Sequence, residues 1–269
     1  MKSLKPTVAV VVPNLNQGRY LGQALESIIA QDNITYYIAV MDAGSDDNSV
    51  EVIRKYEKHI EFWRSHPDDG QAAAINEGVE RLPHSDYVCW LNADDVFLED
   101  GLVRMINFLE TNKHFVAVYA KAYITDAHNN IKDTYPTTSF SQSELSRGCF
   151  ICQPATLIRR QAWDEVDGVD PDFHMCMDYD LWWRLLKQGD LGYLQEYTAC
   201  SRDHTDTKTR NNKDLHFNES FLLLKKNIGY VPWHWVKSYS LKYKRSDSFI
   251  DKIIVNFIAV LLYIKNQLY

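Results

Sequence analysis

Over residues 7–110 the apolar positions switch repeatedly between two periods. Thr7 to Val12 is an unbroken β-branched run, the pattern of a strand buried on both faces. Tyr20 to Ile29 then places Leu21, Leu25, Ile28 and Ile29 at helical spacing. The alternation continues with strands predicted at Tyr36–Met41, Ile60–Arg64 and Tyr87–Leu91, and helices at Ser49–Tyr56, Gln71–Arg81 and Leu102–Leu109. Repeated strand–helix units imply a mostly parallel sheet flanked by helices, an α/β fold. In such sheets ligands bind beyond the C-terminal ends of the strands. Those ends carry the polar segments Asn14-Leu-Asn-Gln17, Asp42 to Asp47, His66 to Gly70 and Asn92 to Asp95. Four acidic or amide-bearing tips on one sheet edge predict one site.

After Phe115 the rhythm changes. Val116–Asp126 and Ile131–Tyr135, joined across His128-Asn-Asn130, read as a hairpin. Ser141 and Glu144 form a capping box for a short helix. Pro154–Arg159 is a further strand, and Gln161–Val166 and Asp178–Lys187 are helices. From Asn211 the chain is helical, basic and aromatic. The predicted division is a catalytic domain over residues 1–210 and a C-terminal helical extension over 211–269.

Charge sharpens that division. The net charge is -7, which argues against nucleic acid as a partner. Lys225 to Tyr269 nevertheless carries eight Lys/Arg against two Asp, about +6, leaving about -13 for the remainder. Ile253 to Ile264 is strongly apolar but too short to span a bilayer. Cations beside Trp, Tyr and an apolar face fit a helix lying on a membrane surface. A helix packed on the domain, or a homo-oligomer contact, fits the same residues. An odd count of five cysteines suggests a reduced, cytoplasmic protein, peripheral on the inner face of the cell membrane if the tail binds lipid. Cys149-x-x-Cys152 has no second pair at ligand spacing, so zinc is not expected.

The most informative feature is the strand Tyr87–Leu91 ending in Asn92-Ala-Asp94-Asp95. Two adjacent carboxylates resist joint ionisation unless a cation sits between them and a third group. Hard oxygen donors favour Mn²⁺ or Mg²⁺, and the metal suggests a phosphate-bearing substrate. No Gly-Lys-Ser/Thr loop and no GxGxxG signature is present. The small-residue helix from Gly70 to Gly78 reads as close packing on the sheet, with Asn76 structural.

Six fragments in order then carry a resemblance. They are Val12 to Asn16, Met41 to Asp47, Asp69 to Gly78, Leu91 to Asp95, Gln153 to Thr156 and Met177 to Trp182. The chain resembles family 2 glycosyltransferases of the GT-A fold, which transfer sugars with inversion in bacterial polysaccharide and lipopolysaccharide synthesis. The resemblance implies a nucleotide-sugar donor, a UDP-sugar, and a glycan or lipid-linked acceptor. It assigns Pro13, Asn14, Asn16, Asp42, Asp69, Gln71, Asn92 and Asp94 to the nucleotide, with Asp42 on the uracil. It places the metal on Asp95, Asp94 and His204, and Arg202, Gln153 and Trp183 near the diphosphate or acceptor. Asn92 stands where many relatives carry the first acid of D-x-D. Asp178 is the implied general base; Asp180 instead is expected to cap its helix or pair with Arg184. Two other classes fit the sheet less well: a sugar nucleotidyltransferase, which needs a Gly-rich basic loop absent from Pro13–Gly18, and an inactive nucleotide- or glycan-binding module.

Overall fold

The computed structural model describes residues 5–204, 212–243 and 249–268, with side chains from 254 to 267 in the last segment. Nine strands form one sheet among the described residues. They are β1 (Thr7–Asn14), β2 (Thr35–Asp42), β3 (Phe62–Ser65), β4 (Tyr87–Trp90), β5 (Val96–Phe97), β6 (Phe115–Thr125), β7 (Ile131–Thr134), β8 (Thr156–Arg159) and β9 (Asp190–Arg202). Their order is β3-β2-β1-β4-β8-β6-β9-β5, with β7 hairpinned onto β6. The β3-β2-β1-β4 half is wholly parallel, as the strand–helix alternation requires. Beyond β4 the direction reverses at β8, and β6 and β9 run parallel to each other.

Helices α1 (Gly18–Ile29), α2 (Ser49–Tyr56), α3 (Gln71–Arg81) and α4 (Gly101–Thr111) supply the crossovers. One core joins α1 and α4 to the sheet through Leu21, Leu25, Ile28, Leu102, Met105 and Ile106 against Val8, Val10, Val118 and Ala120. The small residues of α3 serve a steric need: a Cβ on Gly78 would lie 2.5 Å from Val11 Cγ1 and 3.2 Å from Met41 Cγ. Helix and sheet approach too closely there for any side chain.

The short helices α5 (Gln142–Arg147) and α6 (Arg160–Glu165) and the longer α7 (Met177–Leu185) complete this region. Ser141 caps α5, accepting from the Glu144 amide at 3.4 Å. The C-terminal helices are α8 (Lys213–Ile228), α9 (Trp233–Ser240) and α10 (Phe249–Leu268). The chain separates into two compact units, one of residues 1–140 and 150–204, the other of 141–149 and 205–269. The 210/211 boundary expected from sequence lies outside the described residues. Helix α5 belongs to the second unit because its carbonyls are claimed by α9: Trp235 Nε1 donates to Ser146 O at 3.0 Å, and His234 Nε2 lies 2.8 Å from Arg147 O.

Two strands have no counterpart in the sequence pattern. β9 lacks clean alternation because its pairing with β6 shifts register three times. β5 is only two residues long, yet Val96 pairs with Cys200 and Phe97 with Ala199. That pairing fastens the segment after Asp95 to the end of β9.

Candidate active site

The C-terminal tips of β1, β2 and β3 stand in register, with Asn14 opposite Asp42 and Asp42 opposite Ser65. Asp42 is fully buried and is the hub of this edge. Its Oδ1 accepts from Asn14 Nδ2 at 2.6 Å and Ser45 Oγ at 2.5 Å. Its Oδ2 accepts from Ser65 Oγ at 2.5 Å and from the amides of Ser45 at 3.0 Å and Gly44 at 3.2 Å. Burial alone would raise the Asp42 pKa, but the donors from Ser45, Ser65 and Asn14 hold it below the usual carboxylate value. Gly44 takes φ 82°, and a Cβ on it would lie 3.1 Å from Pro67, so the turn needs a glycine twice over. Asn16, at φ 54°, clasps the same loop: its amide donates to Ser45 Oγ at 2.8 Å and its Oδ1 accepts from Asp46 N at 2.9 Å. Pro13, opposite Met41, is buried just before Asn14 ends β1. Both Asp42 oxygens are thus already satisfied, and its role here is to shape the loops that Asn14 and Asn16 present. Ser45 and Ser65 were missed as functional positions, since a serine at a strand end carries no signal until register is known.

The second cluster lies at the tip of β4. Asn92 Oδ1 accepts from Gln71 Nε2 at 2.8 Å, while Asn92 Nδ2 donates to Asp95 Oδ2 at 3.1 Å and lies 3.4 Å from Gln153 Oε1. Gln153 Nε2 in turn donates to Trp90 O at 2.9 Å. Asp95 is 4% exposed, and its second oxygen accepts from the Arg202 amide at 2.9 Å. Burial, then the neighbouring Asp94 charge, pushes the Asp95 carboxyl well above its ordinary pKa. Asp95 was the expected principal metal ligand; instead both its oxygens are bound inward to protein donors. Asp94 points the other way: its Oδ2 lies 2.9 Å from His204 Nε2, and its side chain is 20% exposed. The β5–β9 pairing explains how two residues so far apart in sequence meet.

Arg202 also departs from expectation. Its guanidinium is buried, donating to Asp94 O at 2.7 Å, Ala127 O at 2.9 Å and Gln23 Oε1 at 2.8 Å. It lies 4.3 Å from the Tyr20 ring centroid, and Tyr20 in turn sits 5.1 Å from the His204 ring. Burial lowers the Arg202 pKa despite nearby Tyr20, Asp94 and Asp95. Arg202 therefore braces the Asp94–His204 edge and is not presented to a ligand. Lys208 and Arg210, which follow closely in the sequence, lie outside the described residues.

Helix α7 brings Asp178 to its first turn, half-buried. The ring of Trp182, one turn on, stacks on Trp90 with centroids 6.4 Å apart at 9°. His174, just before α7, lies 3.9 Å from where a Gly70 Cβ would stand, next to the start of α3 and hence to Gln71. The Trp90–Trp182 stacking ties α7 to β4 one turn after Asp178. Asp180, wholly buried, pairs with Arg184 at 2.6 Å, as the sequence suggested. Asn76 is structural too, exchanging bonds of 2.7 and 3.0 Å with Val169. Trp183 is 2% exposed, so it cannot wall an open acceptor site in this conformation. Asp69 is exposed, whereas Asp68 is pinned by Arg64 at 3.0 Å and by the Gly70 amide at 3.0 Å. A separate cavity of about 620 Å³, lined by Asn76, Trp163, Asp167 and Arg184 among others, includes none of the candidate nucleotide, metal or catalytic residues.

Among the described residues no three His, Cys, Asp or Glu form a ready-made metal cage. Asp94, a partly exposed carboxylate backed by the buried His204 imidazole, suits a divalent cation that takes its remaining ligands from a substrate's phosphates.

The curled α/β sheet with this edge defines a GT-A glycosyltransferase fold, and the comparisons agree. Residues 9–167 match the model of glycosyl transferase family 2, and the chain belongs to that family. An uncharacterised glycosyltransferase of Rickettsia typhi is 24% identical over 77% of this chain and 66% of its own length. The crystal structure of Staphylococcus aureus TarS residues 1–349 with UDP-GlcNAc superposes with a TM-score of 0.64 at 13% identity, covering 90% of this chain and 73% of that one. The mannosyltransferase PcManGT of Pyrobaculum calidifontis, in complex with GDP-Man and Mn²⁺, gives 0.63 at 14%, covering 98% and 83%.

Proposed function

We propose that this chain moves a sugar from a nucleotide-sugar, a UDP-sugar, onto a glycan or lipid-linked acceptor, with inversion and with help from Mn²⁺ or Mg²⁺. The observation that carries the reading is the Asp94–His204 pair at 2.9 Å, its carboxylate partly exposed and its imidazole buried behind it, on an edge whose other tips are built from Asn14, Asn16 and Gln71. Both superposed neighbours were solved with a nucleotide-sugar, which supports the donor class; their bases differ, and the choice of uridine rests on the sequence resemblance.

Asp94 and His204 would hold the metal, which when bound offsets the charge of the departing nucleoside diphosphate. Asp95 and Arg202 fix that pair from beneath. Asp42 keeps Asn14 and the Gly44–Ser45 turn in position at the base end. Asp178 takes the proton of the acceptor hydroxyl as its oxygen attacks C1 opposite the leaving group; the C1–O bond to the diphosphate breaks as the new glycosidic bond forms. The catalytic domain ends near residue 204, and the acceptor is met at the cytoplasmic face of a membrane.

A panel of nucleotide-sugars screened for Mn²⁺-dependent hydrolysis and for thermal stabilisation tests donor and metal together. Asp178→Asn is expected to abolish transfer while sparing donor binding; undiminished turnover removes the assignment of the base. Stabilisation by a donor without hydrolysis or transfer would favour a binding module, and release of pyrophosphate from a sugar phosphate and UTP would favour a nucleotidyltransferase.

A further inference from the structure

The C-terminal unit, residues 141–149 and 205–269, carries twelve Lys/Arg against six Asp/Glu, a net +6 within a chain of net -7. It also carries eleven of the thirteen large apolar side chains that are exposed among the described residues. The two features meet on α10. One face of this helix is packed: Val255 and Ala259 are buried, Tyr263 meets Trp233 edge-on with centroids 5.5 Å apart, and Gln267 Nε2 donates to Val231 O at 2.9 Å. The opposite face holds Ile254, Phe257, Val260, Leu261 and Ile264, exposed by 44–63%. Their spacing of three and four residues gathers them into one stripe roughly 120° wide. Lys265 is exposed beside it.

A helix apolar on both faces but packed on only one has a second partner. No helix of the described residues is long and apolar enough to cross a membrane, so the stripe does not serve as a span. Two copies of this unit would bring like charges of +6 together, whereas an anionic bilayer meets the stripe with hydrocarbon and the lysines with phosphate. Trp233, 40% exposed against Tyr263, is the side-chain type enriched at the headgroup level. We infer that α10 lies in the headgroup–acyl boundary of an anionic membrane, with Phe257, Leu261 and Ile264 immersed.

The inference is independent of the donor chemistry and is tested on the full chain by co-sedimentation with vesicles. Wild-type protein is expected to bind phosphatidylcholine vesicles containing phosphatidylglycerol, to release as NaCl is raised, and to bind pure phosphatidylcholine far more weakly. The double change Phe257→Ser and Ile264→Ser should weaken binding at least about tenfold, and Lys265→Glu about fivefold, with melting temperature unchanged. Equal binding by the double variant overturns the inference. So does a wild-type dimer, absent from vesicles, that the double variant splits in light scattering; the stripe would then be covered by a second copy. Nucleotide-sugar hydrolysis in solution should be the same in all these variants.

Discussion

Asn92 donates its amide to Asp95 Oδ2 at 3.1 Å while its own oxygen accepts from Gln71 at 2.8 Å. This explains why an amide can occupy the position where many relatives carry an acid: it neutralises nothing outside, but it satisfies a buried carboxylate inside. Asn92→Asp would replace that donor with a second acidic group and cost about 1–3 kcal/mol at pH 8, where the pair carries most charge. The loss should shrink at pH 5, where the pair can share a proton. Melting curves at pH 5 and 8 check this; an equal penalty at both would mean the contact is not electrostatic.

Asp42 gives a pH dependence of definite sign. Its folded pKa is depressed, so its contribution is present above the unfolded value of about 3.9 and is lost as pH falls through the lower folded value. Urea unfolding between pH 6 and 3 should show wild type losing stability towards acid. Asp42→Asn should be less stable by roughly 1–3 kcal/mol at pH 6, and the gap should narrow at pH 3.

Arg202 and His204 sit two residues apart and should fail differently. Arg202→Ala removes three side-chain hydrogen bonds and the contact with Tyr20, costing about 3 kcal/mol, or roughly 6–12 °C in melting temperature. His204→Ala also truncates a buried ring and should lower the melting temperature, but unlike Arg202→Ala it should raise the Mn²⁺ concentration needed for half-maximal activity about 10–100-fold. A metal titration beside a thermal melt separates the two.

At Gly78 the expectation is purely steric. A methyl 2.5 Å from Val11 Cγ1 forces α3 off the sheet, so Gly78→Ala should destabilise by about 1–3 kcal/mol, although alanine is the better helix former. Stabilisation on chemical denaturation would show that the helix can shift without cost.

The parallel half of the sheet was legible because each of its strands is a short apolar run between helical patterns, and its carboxylate tips followed from topology. The pairing of Asp180 with Arg184 was legible from their four-residue spacing. The direction in which each acid points was not. Asp94 and Asp95 are chemically identical neighbours, and only the two-residue strand β5 and the irregular β9 decide which of them is buried. Arg202 likewise reads as a phosphate ligand in one dimension; its three backbone and amide partners, contributed by the loop after β4, the β6–β7 turn and α1, appear only on folding. Trp183 was misplaced because an aromatic beside an acid gives no sign of which face of α7 it occupies.

The opposed directions of Asp94 and Asp95 change how an alanine scan of this loop should be interpreted. Silence of the enzyme after losing Asp95 would be a collapsed foundation, visible as an early melt, and after losing Asp94 a missing tool in an intact workshop. Treating the two outcomes as equivalent would lose the distinction that the burial of one acid and the exposure of the other predict.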